Sequence, residues 1–169
     1  MLLVDFMANC PPNWEEILSK PPYNLKITHD GPYVILKYQQ FITDMSYTIC
    51  KEARGAIFRE YNGYYIPISI AMTKFFNAAE HYADTEKLDW STAVITEKVD
   101  GSLMRLAYDE IAEAWLLSSN GSIYARDVTV GDTNFEEIFI SILVGQEQYQ
   151  RLLSSLNKTL NISVSDLFK

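Results

Sequence analysis

The sequence has little cysteine, no long apolar run and no excess of basic residues. Its two cysteines, Cys10 and Cys50, lack the spacing of a metal or redox motif, and nothing before them resembles a secretory signal. Reduced structural thiols are therefore expected. No apolar run approaches the ~18 residues of a membrane-spanning helix, so no membrane partner is expected. These absences predict a soluble protein of the cytoplasm, or of the host cytoplasm if the protein is viral.

The charge balance is strongly acidic. Fourteen Lys and Arg residues oppose 22 Asp and Glu residues, which gives a formal net charge of −8. This balance argues against attraction of the whole surface to nucleic acid. A polyanionic ligand would have to be held by a local cluster of cations in a cleft.

Length and composition are those of one globular domain, residues 1–169. Hydrophobic residues make up 48% of the chain and charged residues 21%, which excludes wholesale disorder and a coiled coil. Aromatic residues reach 13%, which suits a β-rich fold with a partly wet cleft, although such rings more often belong to the core.

Mixed β-branched and aromatic residues predict several strands. The expected strands cover Tyr33–Gln39, Gly55–Tyr61, Tyr64–Ile68, Val94–Lys98, Leu103–Tyr108 and Trp115–Ser118. Asn62–Gly63 predicts a two-residue hairpin between the second and third strands. Asp100–Gly101 predicts a turn between the fourth and fifth.

Two helices are expected. A short helix over Trp14–Lys20 ends before Pro21–Pro22. A long helix is predicted over Asn134–Leu156, because apolar residues recur every three or four positions and Thr133 with Glu136 has capping-box spacing. Strands followed by one long helix indicate an α+β fold with a largely antiparallel sheet.

The sharpest chemical feature is Lys98 at the end of a predicted strand. Beside the tight Asp100–Gly101 turn, this lysine could lie at a pocket mouth, where partial desolvation leaves a neutral amine able to attack phosphorus or carbonyl carbon. Asp100 could orient the amine, and Gly101 lets the backbone pass close to a ligand. The same residues also fit an ordinary hairpin with an exposed lysine.

Two further cations precede this lysine at predicted strand edges. Arg54 offers a planar fork suited to phosphate or carboxylate, and Lys74 offers a point charge. Phe75 and Phe76 lie on opposite faces of an extended segment, so one can enter the core while the other faces a planar ring. Together with Lys98, these cations could line a nucleotide pocket in an otherwise acidic chain.

Three short motifs occur in a fixed order along the chain. They are Glu-Ala-Arg-Gly at 52–55, Met-Thr-Lys-Phe-Phe-Asn at 72–77 and Lys-Val-Asp-Gly-Ser at 98–102. The third resembles motif I of DNA ligases, RNA ligases and mRNA capping enzymes. All three together resemble the N-terminal nucleotidyltransferase domain of the RNA ligase 1 family of T-even bacteriophages, over roughly residues 33–124. The second motif favours the RNA ligase branch.

The resemblance implies a fold, a reaction and a site. The fold would be part of a nucleotidyltransferase, an ATP-grasp-like ligase domain with the lysine motif on a strand hairpin. ATP, with Mg²⁺, would adenylylate the lysine, and AMP would pass to an RNA 5′-phosphate before a 3′-hydroxyl seals the strand, as in RNA repair. The implied nucleophile is Lys98. The residues implied at the nucleotide are Tyr38, Arg54, Lys74, Phe76, Asp100 and Gly101.

The chain departs from the family pattern in its later motifs. Asn120 stands where the family has a lysine before Gly-Ser, and Ser163 lies about where a glutamate is expected, with Asp166 out of register. A terminal Lys-x-Lys motif is absent, so the metal ligands stay unassigned. We therefore expect a truncated N-terminal portion, weak or inactive alone, whose cleft a missing C-terminal portion or a partner chain would complete.

Two other functions remain open from the sequence. One is a non-catalytic remnant that binds ATP or RNA ends through the same pocket without turnover. The other is an unrelated α+β interaction domain in which Lys-Val-Asp-Gly-Ser occurs by coincidence.

Overall fold

The computed structural model describes residues 1–83 and 85–145 of the chain. It is a mixed α/β structure with antiparallel sheets, as the sequence predicts. Contacts divide the chain into two compact units, here called the N-terminal unit, Met1–Leu103, and the C-terminal unit, Met104–Lys169. A single folding domain over residues 1–169 stays a prediction.

The N-terminal unit contains a four-stranded antiparallel sheet in sequence order. Its strands are β1, Lys26–Asp30; β2, Tyr33–Lys37; β3, Arg54–Tyr61; and β4, Tyr64–Ser69. The sequence predicts β2, β3 and β4 to within two residues at each end. It misses β1 because that strand is exposed at four of its five positions and shows no alternation of apolar and polar residues.

The turn between β3 and β4 explains why that hairpin is readable from sequence. Asn62 and Gly63 have φ values of +53° and +81°, and Tyr61 pairs with Tyr64 across the turn. A two-residue turn with both central residues left-handed matches the twist of antiparallel strands, and Asn-Gly adopts it at low cost. The predicted hairpin is confirmed.

Three helices pack on this sheet: α1, Leu2–Ala8; α2, Trp14–Ser19; and α3, Thr48–Glu52. The prediction of α2 is confirmed to within one residue, whereas α1 and α3 are too short to give a periodic signal. The helices and the inner sheet face share one core, which includes Leu3, Met7, Trp14, Leu18, Leu25, Val34, Leu36, Cys50 and Phe58.

The region after β4 differs from the prediction. Between Ile70 and Leu103 the described residues form two 3₁₀ turns, Thr85–Lys87 and Trp90–Thr92, and no strand. The expected strand Val94–Lys98 is therefore wrong, because no described strand pairs with this segment. Val94 and Ile95 are 84% and 97% exposed. The lysine motif is consequently not carried by a strand hairpin.

The C-terminal unit begins with a separate hairpin. Strands β5, Met104–Asp109, and β6, Ala114–Ser119, pair with each other in antiparallel register, so the strand after Gly101 finds its partner downstream. The buried carboxylate of Asp109 accepts hydrogen bonds from the amides of Ile111 and Ala112 at 2.9 and 3.0 Å. This bond pair closes the turn.

Two short strands, β7, Thr129–Val130, and β8, Thr133–Asn134, precede helix α4, Phe135–Gly145. The predicted capping box is present one residue later than expected. The Glu137 amide donates to Asn134 Oδ1 at 3.0 Å, and the Asn134 amide donates to Glu137 Oε2 at 3.4 Å. The described helix has 11 residues and covers the first part of the predicted long helix; residues 146–156 of that prediction lie outside the described part.

No helix in the described ranges combines the length and apolarity needed to cross a membrane. The two cysteines are free, with Cys50 buried and Cys10 half-buried, in agreement with the expectation of structural thiols.

One buried carboxylate fastens the first helix to the rest of the N-terminal unit. Glu52 is only 6% exposed, and its Oε2 accepts a hydrogen bond from the Leu3 amide at 2.7 Å. The first amides of a helix have no partner within it, so a carboxylate there satisfies a donor and opposes the positive end of the helix dipole. Glu52 of the Glu-Ala-Arg-Gly motif therefore has a structural role.

We expect Glu52→Ala to lower the free energy of unfolding by about 1–3 kcal/mol, because it leaves the Leu3 amide buried without its acceptor. Glu52→Gln should cost less, since an amide oxygen can still accept. Urea unfolding followed by circular dichroism measures both values. Glu86→Ala, an identical change at an exposed side chain, is the control; equal losses at both positions would contradict this role.

We expect Cys50 to resist alkylation in the folded protein. Burial, with a smaller contribution from Asp44, raises the pKa of its thiol to about 11, and the thiol donates to the Tyr23 carbonyl at 3.7 Å. Since the thiolate is the nucleophile, iodoacetamide at pH 8 should modify Cys10 first and Cys50 only after unfolding. Mass spectrometry of peptides reads this order, and equal rates in native protein would refute it.

Candidate functional site

Two segments that carry predicted site residues are fastened to the junction between α3 and β3. The Lys74 amide donates to the Lys51 carbonyl at 2.8 Å, and the Tyr38 amide donates to the Ala53 carbonyl at 2.7 Å. These bonds hold the end of β2 and the segment after β4 beside the same short stretch of chain. Tyr38 and Lys74, 36 positions apart in sequence, therefore lie together.

Their side chains form part of an aromatic–lysine cluster, defined here as Tyr38, Lys51, Lys74, Phe76 and Tyr82. Lys74 Nζ lies 5.4 Å from the Tyr38 ring centroid and 4.8 Å from that of Phe76. Lys51 Nζ lies 5.8 Å from the centroids of both Phe76 and Tyr82. These distances are within the range of cation–π attraction. The cluster concentrates two cations and three rings in an acidic chain.

Two cavities share a wall made by Lys74, Phe76 and Tyr82. The first, here called the Tyr38 cavity, has a volume of about 480 Å³, and its other lining residues include Tyr38, Phe41, Thr43, Met45, Glu80 and His81. The second, about 330 Å³, is lined in addition by Lys51, Phe75, Ala83, Thr85 and Leu88. Both volumes are within the range of small-molecule sites.

The carboxylates around this region are held by local bonds. Glu80 Oε2 accepts from the Asn77 amide at 2.6 Å. Hydrogen bonds from Ser46, with a smaller contribution from the Tyr82 hydroxyl, lower the pKa of Asp44.

Arg54 stands beside the cluster but lines neither cavity. Its guanidinium carbon lies 5.4 Å from the Phe75 ring centroid, and Phe75 is 62% exposed. Phe76, by contrast, packs against the core. The expected alternation of these two rings is therefore present, with Arg54 placed against the outer one.

Lys98 lies apart from this arrangement. Its Nζ is 2.6 Å from Asp100 Oδ1, and the two side chains are 78% and 93% exposed. Gly101 has a φ of +147°, and a Cβ added there would meet no atom within 4 Å. Neither cavity is lined by these three residues. The lysine is thus exposed, as in the alternative interpretation of this motif, but without the hairpin.

The later departures from the family pattern are only partly described. The Asn120 turn belongs to the C-terminal unit, where Ser119 Oγ accepts from the amides of Gly121 and Ser122, each at 3.1 Å. Ser163 and Asp166 lie outside the described residues.

Sequence reasoning missed two members of the cluster, Lys51 and Tyr82. Lys51 precedes the Glu-Ala-Arg-Gly motif on α3, which is too short to be predicted, and Tyr82 lies in a segment without regular structure. The signal that could have indicated Lys51 is its position three residues before Arg54.

The resemblance implies Mg²⁺, but the described residues contain no preformed cluster of metal ligands. Among residues 1–83 and 85–145 there is no group of three or more His, Cys, Asp or Glu side chains placed to hold a metal ion. Mg²⁺ usually keeps several waters and binds through one or two carboxylates together with substrate phosphates, so this finding bears only on a site built entirely from protein side chains.

Comparison with known proteins finds a distant relation to a viral protein. Over 144 residues the chain is 25% identical to a protein of Autographa californica nuclear polyhedrosis virus, described as a candidate bifunctional polynucleotide kinase/RNA ligase. The match covers 80% of this chain and 20% of that protein, so the chain spans about a fifth of its relative's length. No protein-family model matches the chain, and no solved structure does.

This similarity agrees with the resemblance at the level of RNA ligases. It does not distinguish the RNA ligase 1 family of T-even bacteriophages from other RNA ligases.

The two neighbouring phenylalanines should differ in their effect on stability. We expect Phe76→Ala to lower the free energy of unfolding by about 1–2 kcal/mol, because part of its ring packs on the core. Phe75→Ala should cost less than about 0.5 kcal/mol, as is usual for exposed positions. Thermal and urea unfolding compare the two variants, and the reverse order would show that the rings are placed the other way round.

Proposed function

We propose that this chain is the nucleotidyltransferase portion of an ATP-dependent RNA ligase. The observation that carries the proposal is the alignment of 80% of the chain with a protein whose name includes RNA ligase, together with the three ordered motifs. RNA with a 5′-phosphate and a 3′-hydroxyl would be the substrate, in the cytoplasm.

The aromatic–lysine cluster has the chemistry that a nucleotide site needs. Flat rings such as Tyr38 and Phe76 can contact an adenine face, and the ammonium group of Lys74 can contact a phosphate. In a chain of net charge −8, Lys74, with Lys51 in the adjoining cavity, is where a triphosphate would be attracted. We assign the Tyr38 cavity to ATP; Arg54, which does not line that cavity in this structure, is proposed as a further phosphate contact.

Lys98 would carry the covalent step. Its Nζ attacks the α-phosphorus of ATP, an N–P bond forms, the bond to the β-phosphate oxygen breaks, and pyrophosphate leaves while the amine loses a proton. AMP then passes to the RNA 5′-phosphate, and the 3′-hydroxyl displaces it. Phosphoryl transfer of this kind depends mainly on positioning and on cations at the developing charge.

The proposed reaction requires a change in the lysine segment. The Lys98 amine must leave its ion pair with Asp100 and reach the phosphates in the cavity, which it does not line in this structure. The irregular, exposed backbone around it, with Gly101 at the turn, leaves this segment without the ladder bonds that would hold a strand. We therefore assign closure of the segment over bound ATP to the first step.

A second candidate function is favoured by the same placement of Lys98. A non-catalytic remnant would keep the cation-lined cavity for ATP or RNA ends and need no approach of the lysine. The two functions differ in one respect: only the ligase would form a covalent lysyl-AMP.

Incubation with α-labelled ATP and Mg²⁺ tests the proposal. Because the chain spans only about a fifth of its relative, we expect weak label on the wild-type protein, assigned to Lys98 by mass spectrometry. We expect none on Lys98→Ala or Lys98→Arg, because neither replacement supplies the attacking amine. Lys26→Ala, at an exposed lysine of β1, should retain the label.

Calorimetric titration with ATP separates the two functions. Binding without label would support the remnant and contradict the ligase. If the protein neither binds ATP nor takes up label, both functions are contradicted.

A further inference from the structure

The loop between β2 and α3 presents an unburied aromatic ring beside the Tyr38 cavity. Phe41 is 97% exposed and yet lines that cavity together with Tyr38 and Lys74. A phenylalanine in this position contributes almost nothing to the core. It lies where a ligand that extends out of the cavity would pass.

The backbone at Phe41 is also unfavourable for a phenylalanine. Its φ is +70°, in the left-handed region that a residue with a Cβ adopts at a cost of roughly 1–2 kcal/mol. Glycine or asparagine would occupy this position more cheaply. Burial of the ring does not compensate for the cost, because the ring lies in solvent. Strained backbone of this kind is found preferentially at ligand sites.

Hydrogen bonds to one residue hold this loop in place. Thr43 Oγ1 donates to the Asn24 carbonyl at 3.0 Å, and Gln39 Nε2 donates to the same carbonyl at 2.9 Å. Thr43 Oγ1 accepts from the Gln39 amide at 2.8 Å, and Asn24 Nδ2 donates to the Ile42 carbonyl at 3.3 Å. The exposed ring is thus presented on a fastened loop, which reduces the entropy lost when a ligand contacts it.

We propose that Phe41 is a stacking platform for a base at the end of single-stranded RNA, whose adjoining phosphate contacts Lys74. The inference rests on the proposed function, since an RNA 5′-phosphate that receives AMP must come to the mouth of the ATP cavity. Aromatic rings beside lysines are the general means by which single-stranded nucleic acids are bound. A ring open to solvent can accept a base whose chain continues outward.

The test measures RNA affinity by fluorescence anisotropy, with a short, labelled, 5′-phosphorylated single-stranded oligoribonucleotide. Loss of one base–aromatic stack should weaken binding about 5- to 150-fold in Phe41→Ala and Phe41→Gly. Phe41→Tyr should retain the affinity. Tyr64→Ala, which removes a 67% exposed ring at the β3–β4 turn, should leave RNA affinity unchanged.

Thermal unfolding of the same variants separates binding from folding. Phe41→Gly should melt at a higher temperature than wild type, because glycine relieves the left-handed φ. A variant that is more stable and binds RNA more weakly supports the proposal. Weaker binding that accompanies a lowered melting temperature in every Phe41 variant would overturn it, as the ring would then be structural.

Three other results would also overturn the inference. They are unchanged RNA affinity in Phe41→Ala, an equal loss of affinity for ATP and RNA, and a wild-type protein that binds no RNA. If Phe41→Ala changes only the sedimentation of the protein, the ring belongs to a contact between copies. A wild-type chain that binds RNA through Phe41 but takes no label from ATP would support this inference while contradicting the ligase.

Discussion

The four residues that join α3 to β3 are the constraint on which the N-terminal unit depends. Successive residues of this junction, Lys51 to Arg54, each contact a different part of the chain. The Lys51 carbonyl binds the Lys74 amide, the Glu52 carboxylate binds the Leu3 amide, the Ala53 carbonyl binds the Tyr38 amide, and Arg54 begins the central strand β3. Because buried backbone groups need partners, these bonds determine which segments meet there. The Glu-Ala-Arg-Gly motif therefore stabilises the fold as well as contributing Arg54 to the proposed site.

The same junction explains how two lysines come together in an acidic chain. Lys51 belongs to the junction and Lys74 is bonded to it, so two ammonium groups lie against the ring of Phe76. The rings contribute attraction to the cations as well as flat surfaces for a ligand. Phe41, which lines the Tyr38 cavity but is 97% exposed and has a strained backbone, extends that aromatic surface toward solvent. The proposed nucleotide site thus follows from the backbone bonds of the junction, and the proposed RNA site from the bonds that Asn24 makes to the Phe41 loop.

Prediction from sequence succeeded where local chemistry decides the conformation. The Asn62–Gly63 turn, β2 to β4 and α2 were predicted because turn residues and apolar alternation act within a few positions. It failed for β1, which is almost entirely exposed, and for Val94–Lys98, whose apolar residues suggest a strand although no described strand pairs with them. A strand forms only when it pairs with another strand, and the tertiary structure decides whether a partner strand is available.

The sequence by itself determined the charge balance, the free thiols and the residue types of the proposed nucleotide site: Tyr38, Arg54, Lys74, Phe76 and Lys98. Only the tertiary structure decided which of them meet. Tyr38, Lys74 and Phe76 come together because backbone bonds to the junction hold their segments, and the structure adds Lys51 and Tyr82. Lys98 lies on exposed, unpaired backbone with Asp100 as its partner. A motif records which groups are present, whereas the distances between groups follow from long-range packing and hydrogen bonds that no local pattern contains.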